Sequence, residues 1–123
     1  MIDLKLNNSI RELQSDLQMA KLRAIKETAY TVITFNSNNY IVFIDNGLNA
    51  GDWNQDKDEL ILIKRQISSG VLIDLNATNF KNDRIRFNSR GNLGCGLGSV
   101  VLKNQNNKSK KISISMFGRM NVN

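Results

Sequence analysis

Six apolar residues near the start of the chain, Leu6, Ile10, Leu13, Leu17, Ala20 and Ala24, are separated by four, three, four, three and four positions. That spacing draws one stripe along an α-helix, because residues three and four apart share a face. Arg11, Glu12, Gln14, Asp16, Gln18, Lys21 and Arg23 are assigned to the opposite side. The pattern predicts a helix from about Asn7 to Ala29, ~35 Å long at 1.5 Å per residue. A helix with one greasy side needs a covering layer, and everything after it reads as strands.

Tyr30 to Phe35 and Asn39 to Asp45 are rich in β-branched and aromatic residues and flank the polar turn Asn36-Ser37-Asn38, which predicts a hairpin. Further strands are predicted at Glu59 to Arg65, Val71 to Leu75 and Arg84 to Phe87. Ser99 to Lys103 and Lys111 to Met116 predict a second hairpin around the polar turn 104–110, and Arg119 to Val122 a last short strand. The connections are short, so the pairing is mostly antiparallel. The expected class is α+β: a long N-terminal amphipathic helix on antiparallel sheet of about seven to eight strands. Residues 1–123 form a single domain, with the helix in residues 1–29 and the strands in residues 30–123. Repeats, linkers and prolines are absent.

Several functional classes drop out on composition. The chain has no histidine and one cysteine, Cys95, so histidine-based nucleophile pairs, histidine zinc sites and an internal disulfide are excluded. The chain is read as non-enzymatic. Its longest apolar run, Tyr40 to Ile44, is too short to span a bilayer, and Met1-Ile2-Asp3 does not open a secretory signal.

The order of the motifs resembles a known family. Leu13-x-x-x-Leu17 and Ala20-x-x-x-Ala24-Ile25 on the helix precede the hairpin and an Asp-rich loop. Then come Ile85-x-Phe87-x-x-x-Gly91, Gly98-Ser99-Val100-Val101-Leu102 and Ile112-x-Ile114-Ser115-x-x-Gly118-Arg119. This series is similar to the GspH/FimT family of minor type IV pilins and type II secretion pseudopilins, and the likeness spans nearly the whole chain. Ser89 lies where the family often has a proline. The resemblance implies a leader and a hydrophobic helix ahead of this segment, which anchor the subunit in the inner membrane and later enter the core of a fibre. Residues 7–29 would then be the lower half of that rod. It further implies an extracytoplasmic location and other pilin or pseudopilin subunits as partners. The stripe from Leu6 to Ala24 is expected to pack partly on its own sheet and, toward its start, on neighbouring subunits, with loops 46–58, 88–98 and 104–110 facing outward.

Two loops invite a ligand. Asp52, Asn54, Asp56 and Asp58 place oxygen atoms at alternating positions, as calcium prefers, but Lys57 and Ile63 stand where an EF-hand needs glycine and glutamate. The expectation is no cofactor, with calcium the weak candidate. The glycine run from Gly91 to Gly98 lacks the Lys-Ser/Thr pair and following helix of a phosphate cradle, and reads as a loop or bulge.

The charge is uneven. Seventeen Lys and Arg oppose eleven Asp and Glu, a net +6, and after Lys81 only Asp83 is acidic. Lys103, Lys108, Lys110, Lys111 and Arg119 therefore lack nearby counter-charge in sequence and are the candidate contacts for DNA or another polyanion. Some family members bind DNA for natural transformation through a C-terminal Gly-Arg-x-Arg element. Gly118-Arg119-Met120-Asn121 matches only its first half, and a solvated, lysine-rich surface accounts for the same charge.

Overall fold

The computed structural model describes residues 2–45, 61–67, 70–75, 84–93, 98–105 and 108–122. The chain begins with α1 (Ile2–Glu27), followed by β1 (Tyr30–Phe35), β2 (Asn39–Asp45), β3 (Ile61–Gln66) and β4 (Val71–Ile73). After these come β5 (Arg84–Phe87), β6 (Gly98–Asn104), β7 (Ser109–Ile114) and β8 (Met120–Val122). The strands form two antiparallel sheets, β3-β2-β1-β5 and β4-β6-β7-β8.

Both predicted hairpins form, β1 with β2 and β6 with β7. The helix is longer at its start than the stripe alone suggests and stops two residues earlier. Its end has a specific cause. Ala29 N–H donates to the Ala24 carbonyl (3.2 Å) and Thr28 N–H to the Ile25 carbonyl (3.3 Å), with Thr28 at φ 50°. This is the Schellman closure, in which a left-handed residue folds the chain back over the last turn. The strand ends shift as well: β6 and β7 extend into the predicted turn 104–110, and Met116 leaves the strand for a turn.

The core lies where the helix meets both sheets. The stripe residues Leu6, Ile10, Leu13, Leu17, Ala20 and Ala24 are all buried, the last three completely. They pack with Ile33, Phe35, Val42, Ile85 and Phe87 of the first sheet and Val71, Ile73, Val100, Leu102, Ile112 and Ile114 of the second. Strand alternation supplies those inward residues: β6 is buried at every second position from Gly98 to Asn104. Burial contributes about 1.5–3 kcal/mol for each large aliphatic side chain, and the stripe and both sheets share one apolar cluster.

Backbone bonds join the sheets at two corners. At one, Ile67 N–H donates to the Asn38 carbonyl (2.9 Å) and Ile73 N–H to the Ser37 carbonyl (2.8 Å), so the β1–β2 turn carries the passage from β3 to β4. At the other, Leu93 N–H donates to the Met116 carbonyl (2.8 Å).

Candidate functional site

The helix stripe is the first candidate surface. Leu6 and Ile10, at its start, are only 2% and 4% exposed within the chain itself. The apolar helix residues that do reach solvent are Leu4, Leu22 and Ile25, off the stripe.

One correction concerns Asp16, which the stripe assigns to the polar side of the helix but which is 5% exposed. Its carboxylate faces the edge of the first sheet. Oδ2 accepts from the Tyr40 hydroxyl (2.5 Å) and from Arg65 Nε (3.0 Å), and Oδ1 accepts from Arg65 Nη2 (3.1 Å). Glu12, one turn back, adds a looser approach to Arg65 at 3.6 Å. Tyr40 and Arg65 are register partners on β2 and β3, so two adjacent strands offer their donors to one helix position. Burial, and then the bond to Asp16, raise the pKa of Tyr40 well above its ordinary value of 10.0. The bond to Asp16 raises that of Arg65, keeping it charged. A buried carboxylate held by a two-pronged guanidinium and a phenol is a directional clamp, not a reactive group.

Two glycine turns meet at the C-terminal third of the helix. In the turn 88–92, Asn88 N–H donates to the Asn92 carbonyl (2.9 Å), and Asn88 Oδ1 accepts from Arg90 N–H (2.9 Å) and Asn92 N–H (3.1 Å). The turn 115–119 repeats the plan: Ser115 N–H donates to the Arg119 carbonyl (2.9 Å), and Ser115 Oγ accepts from Arg119 N–H (3.2 Å). In each, the fourth residue is a left-handed glycine, Gly91 (φ 79°) and Gly118 (φ 80°). A Cβ on Gly91 would sit 2.8 Å from Ile25 Cδ1, and one on Gly118 would strike the Gly91 carbonyl oxygen. Only glycine fits both the backbone and the close approach. The F-x-x-x-G and I-S-x-x-G-R pieces noted in the sequence are therefore two halves of one junction on Lys21 and Ile25. The Asn88 side chain closes the turn that contains Ser89.

Beside this junction is a groove of about 510 Å³ lined by Thr28, Tyr30, Asp45, Asn88, Arg90 and Asn92 among others. Asp45 is buried, and the Arg86 guanidinium lies 4.2 Å from the centre of the Tyr30 ring on the same sheet face.

The basic candidates are not gathered on one face. Lys103 and Lys111 share the outer face of the second sheet, where Lys111 is exposed and Lys103 approaches Asp74 at 3.7 Å. Lys110, next along β7, is on the same side as buried Ile112 and Ile114, which is the helix side. Lys108 closes the β6–β7 turn, its N–H donating to Asn104 Oδ1 (3.1 Å) and its carbonyl accepting from Asn104 N–H (2.9 Å). Arg119 stands at the glycine junction. The calcium candidates Asp52, Asn54, Asp56 and Asp58, and the middle of the glycine run, residues 94–97 with Cys95, lie outside the described residues. Among the described residues no three acidic or cysteine side chains converge as a metal ion requires, and no helix is long and apolar enough to cross a membrane.

The sequence pattern reveals the stripe and the glycines but not the clamp. Tyr40 is the available signal, because an inward tyrosine on a strand must find a partner for its hydroxyl.

Comparisons with known proteins bear on the whole assembly. The architecture is similar to the type IV minor pilin FimU of Pseudomonas aeruginosa, with a TM-score of 0.74 at 14% identity over 98% of this chain and 90% of that one. A second crystal form of FimU gives 0.72 at 16% identity, covering 96% and 92%. The minor pseudopilin EpsH from the type 2 secretion system of Vibrio cholerae also gives 0.72, at 9% identity, covering 97% and 96%. No curated protein matches by sequence. The family model described as "Type II transport protein GspH" matches residues 9–118, from the second turn of the helix to the second junction glycine, and the chain belongs to that family.

Proposed function

We propose that this chain is a non-enzymatic minor pilin or pseudopilin subunit that joins, or primes, a type IV pilus or type II secretion pseudopilus. The observation that carries the reading is the reach of the family match, which takes in the helix, both sheets and the two glycine turns. The architecture supports it: a helix roofed by two sheets is a rod with a rigid head, suited to stacking rather than to chemistry. In this reading α1 is the lower half of a longer rod whose upper half enters the membrane and then the fibre core. Other subunits of the same fibre are its partners, its place is extracytoplasmic, and it needs no cofactor.

Deleting the gene in the source cell tests this directly. Loss of surface fibres or of protein export, restored by the full chain and traced to its presence in sheared fibres or the pseudopilus-bearing membrane fraction, supports the reading. Normal fibres and normal export after deletion overturn it. Binding of DNA draws less support, because Lys110 and Lys111 face opposite sides of β7 and Lys103 already approaches an aspartate. Charge reversal at Lys108, Lys110 and Lys111 that abolished a salt-sensitive gel shift with duplex DNA would favour it instead.

A further inference from the structure

Folding does not account for Met116 and Phe117. The turn that holds them is closed by Ser115, Gly118 and backbone groups, and any polar residue could occupy its tip. Yet Phe117 is 70% exposed and Met116 50%. They do not stand alone, because the glycine junction seats this turn against the helix at Lys21 and, through Gly91, Ile25. Ile25, which lies against Gly91, and Leu22, three residues before it on the helix, are 44% and 62% exposed beside the same junction. Exposed apolar residues gathered at one junction mark a contact surface, whereas scattered ones do not.

Its surroundings are basic. The last two turns of the helix and the two glycine turns carry Lys21, Arg23, Lys26, Arg90 and Arg119; the acids beside them are Glu27, paired with Arg23 at 3.4 Å, and buried Asp45 in the groove next to Arg90. That rim selects among occupants. A symmetric pairing of two copies through this patch would set cations against cations. A polyanion such as DNA would satisfy Arg90 and Arg119 but leave the leucine, isoleucine, methionine and phenylalanine wet. A protein surface with an apolar centre and an acidic rim satisfies both.

We propose that the junction of the two glycine turns with the helix, centred on Phe117, is the docking surface for a different subunit whose contact face is apolar and ringed by acidic residues. This rests on the reading of the chain as a fibre subunit. The test uses the full-length chain in its source cells, with the photo-reactive amino acid p-benzoylphenylalanine in place of Phe117 and, as control, in place of exposed Lys64 on β3. Irradiation is expected to join position 117, and not position 64, to another subunit of the fibre through a peptide rich in Asp or Glu. Arg90→Glu with Arg119→Glu, and separately Met116→Ser, should lower the adduct yield at least tenfold without moving the melting temperature of the purified domain. Equal yield from position 64, an adduct with a second copy or with nucleic acid, or no adduct while the chain is present in sheared fibres would overturn the surface and leave the subunit reading intact. Absence of the chain from the fibre fraction would overturn both.

Discussion

The helix is attached to its two sheets by different means. Toward the second sheet the described contacts are almost wholly apolar, Leu and Ala of the stripe against Val100, Leu102, Ile112 and Ile114. One long bond supplements them, from Lys21 Nζ to the Gly118 carbonyl at 3.4 Å. Toward the first sheet the apolar contact is joined by the Asp16 clamp, with charge-assisted bonds from Arg65 and a bond from Tyr40. Apolar burial is strong but permits sliding, since one methyl group substitutes for another; a two-pronged ion pair has a single best geometry. The contrast assigns adhesion to the stripe and register to the clamp.

The largest effect is expected from the stripe. Leu17 is fully buried between the sheets, and Leu17→Ala should cost about 3 kcal/mol from lost burial and the cavity left behind. Urea unfolding of the purified domain measures it. A cost under about 1 kcal/mol would mean that the sheets do not close on the helix as a common core.

That stripe is legible because local periodicity produces it: each member is a helical turn from the next, and the strands alternate in step with the pleat. The glycine motifs are legible as turns, though not as one junction, since Gly91 and Gly118 meet only after the second sheet has folded back. The clamp is hidden for a similar reason. Asp16 sits three residues after Leu13 and four before Ala20, so it borders the stripe while counting as polar, and its partner Arg65 is separated from it by 49 positions. Local patterns cannot choose among distant arginines.

Breaking the clamp comes next in size. Asp16→Ala leaves Tyr40 and Arg65 without their common acceptor. Because Arg65 keeps access to water, the expected loss is about 2 kcal/mol, below the range for a fully buried pair. The doubly changed Asp16→Ala, Arg65→Ala chain should be less destabilised than the sum of the single changes, with a coupling of about 1 kcal/mol in a double-mutant cycle. Strict additivity would demote the clamp to a coincidence of packing.

Tyr40→Phe removes one donor and keeps the ring, at a cost of about 1 kcal/mol near neutral pH. Its signature is the pH dependence. Burial and Asp16 hold the Tyr40 proton in the folded chain well above the ordinary value of 10.0, so the unfolded chain ionises first. The resulting stabilisation is complete below pH 10 and falls as pH rises beyond it, by up to about 1.4 kcal/mol per unit. Stability curves of the native chain and of Tyr40→Phe should therefore converge above pH 10. Curves that stay parallel would show that this hydroxyl titrates as freely in the fold as out of it.

The smallest effect tests the other side of the contrast. Lys21 lays its stem over Gly91 and Gly118 and extends Nζ toward the Gly118 carbonyl, at a distance near the limit of a hydrogen bond. Lys21→Met preserves the stem and deletes the ammonium, so the packing survives and only the long bond is lost. The expected change is within about 0.5 kcal/mol, as for a partly solvated polar tie. A loss approaching that of Asp16→Ala would erase the asymmetry between the sheets, since the second sheet would then carry a polar fixture of equal weight. Little or no loss leaves the register of the helix in the hands of Asp16, Tyr40 and Arg65.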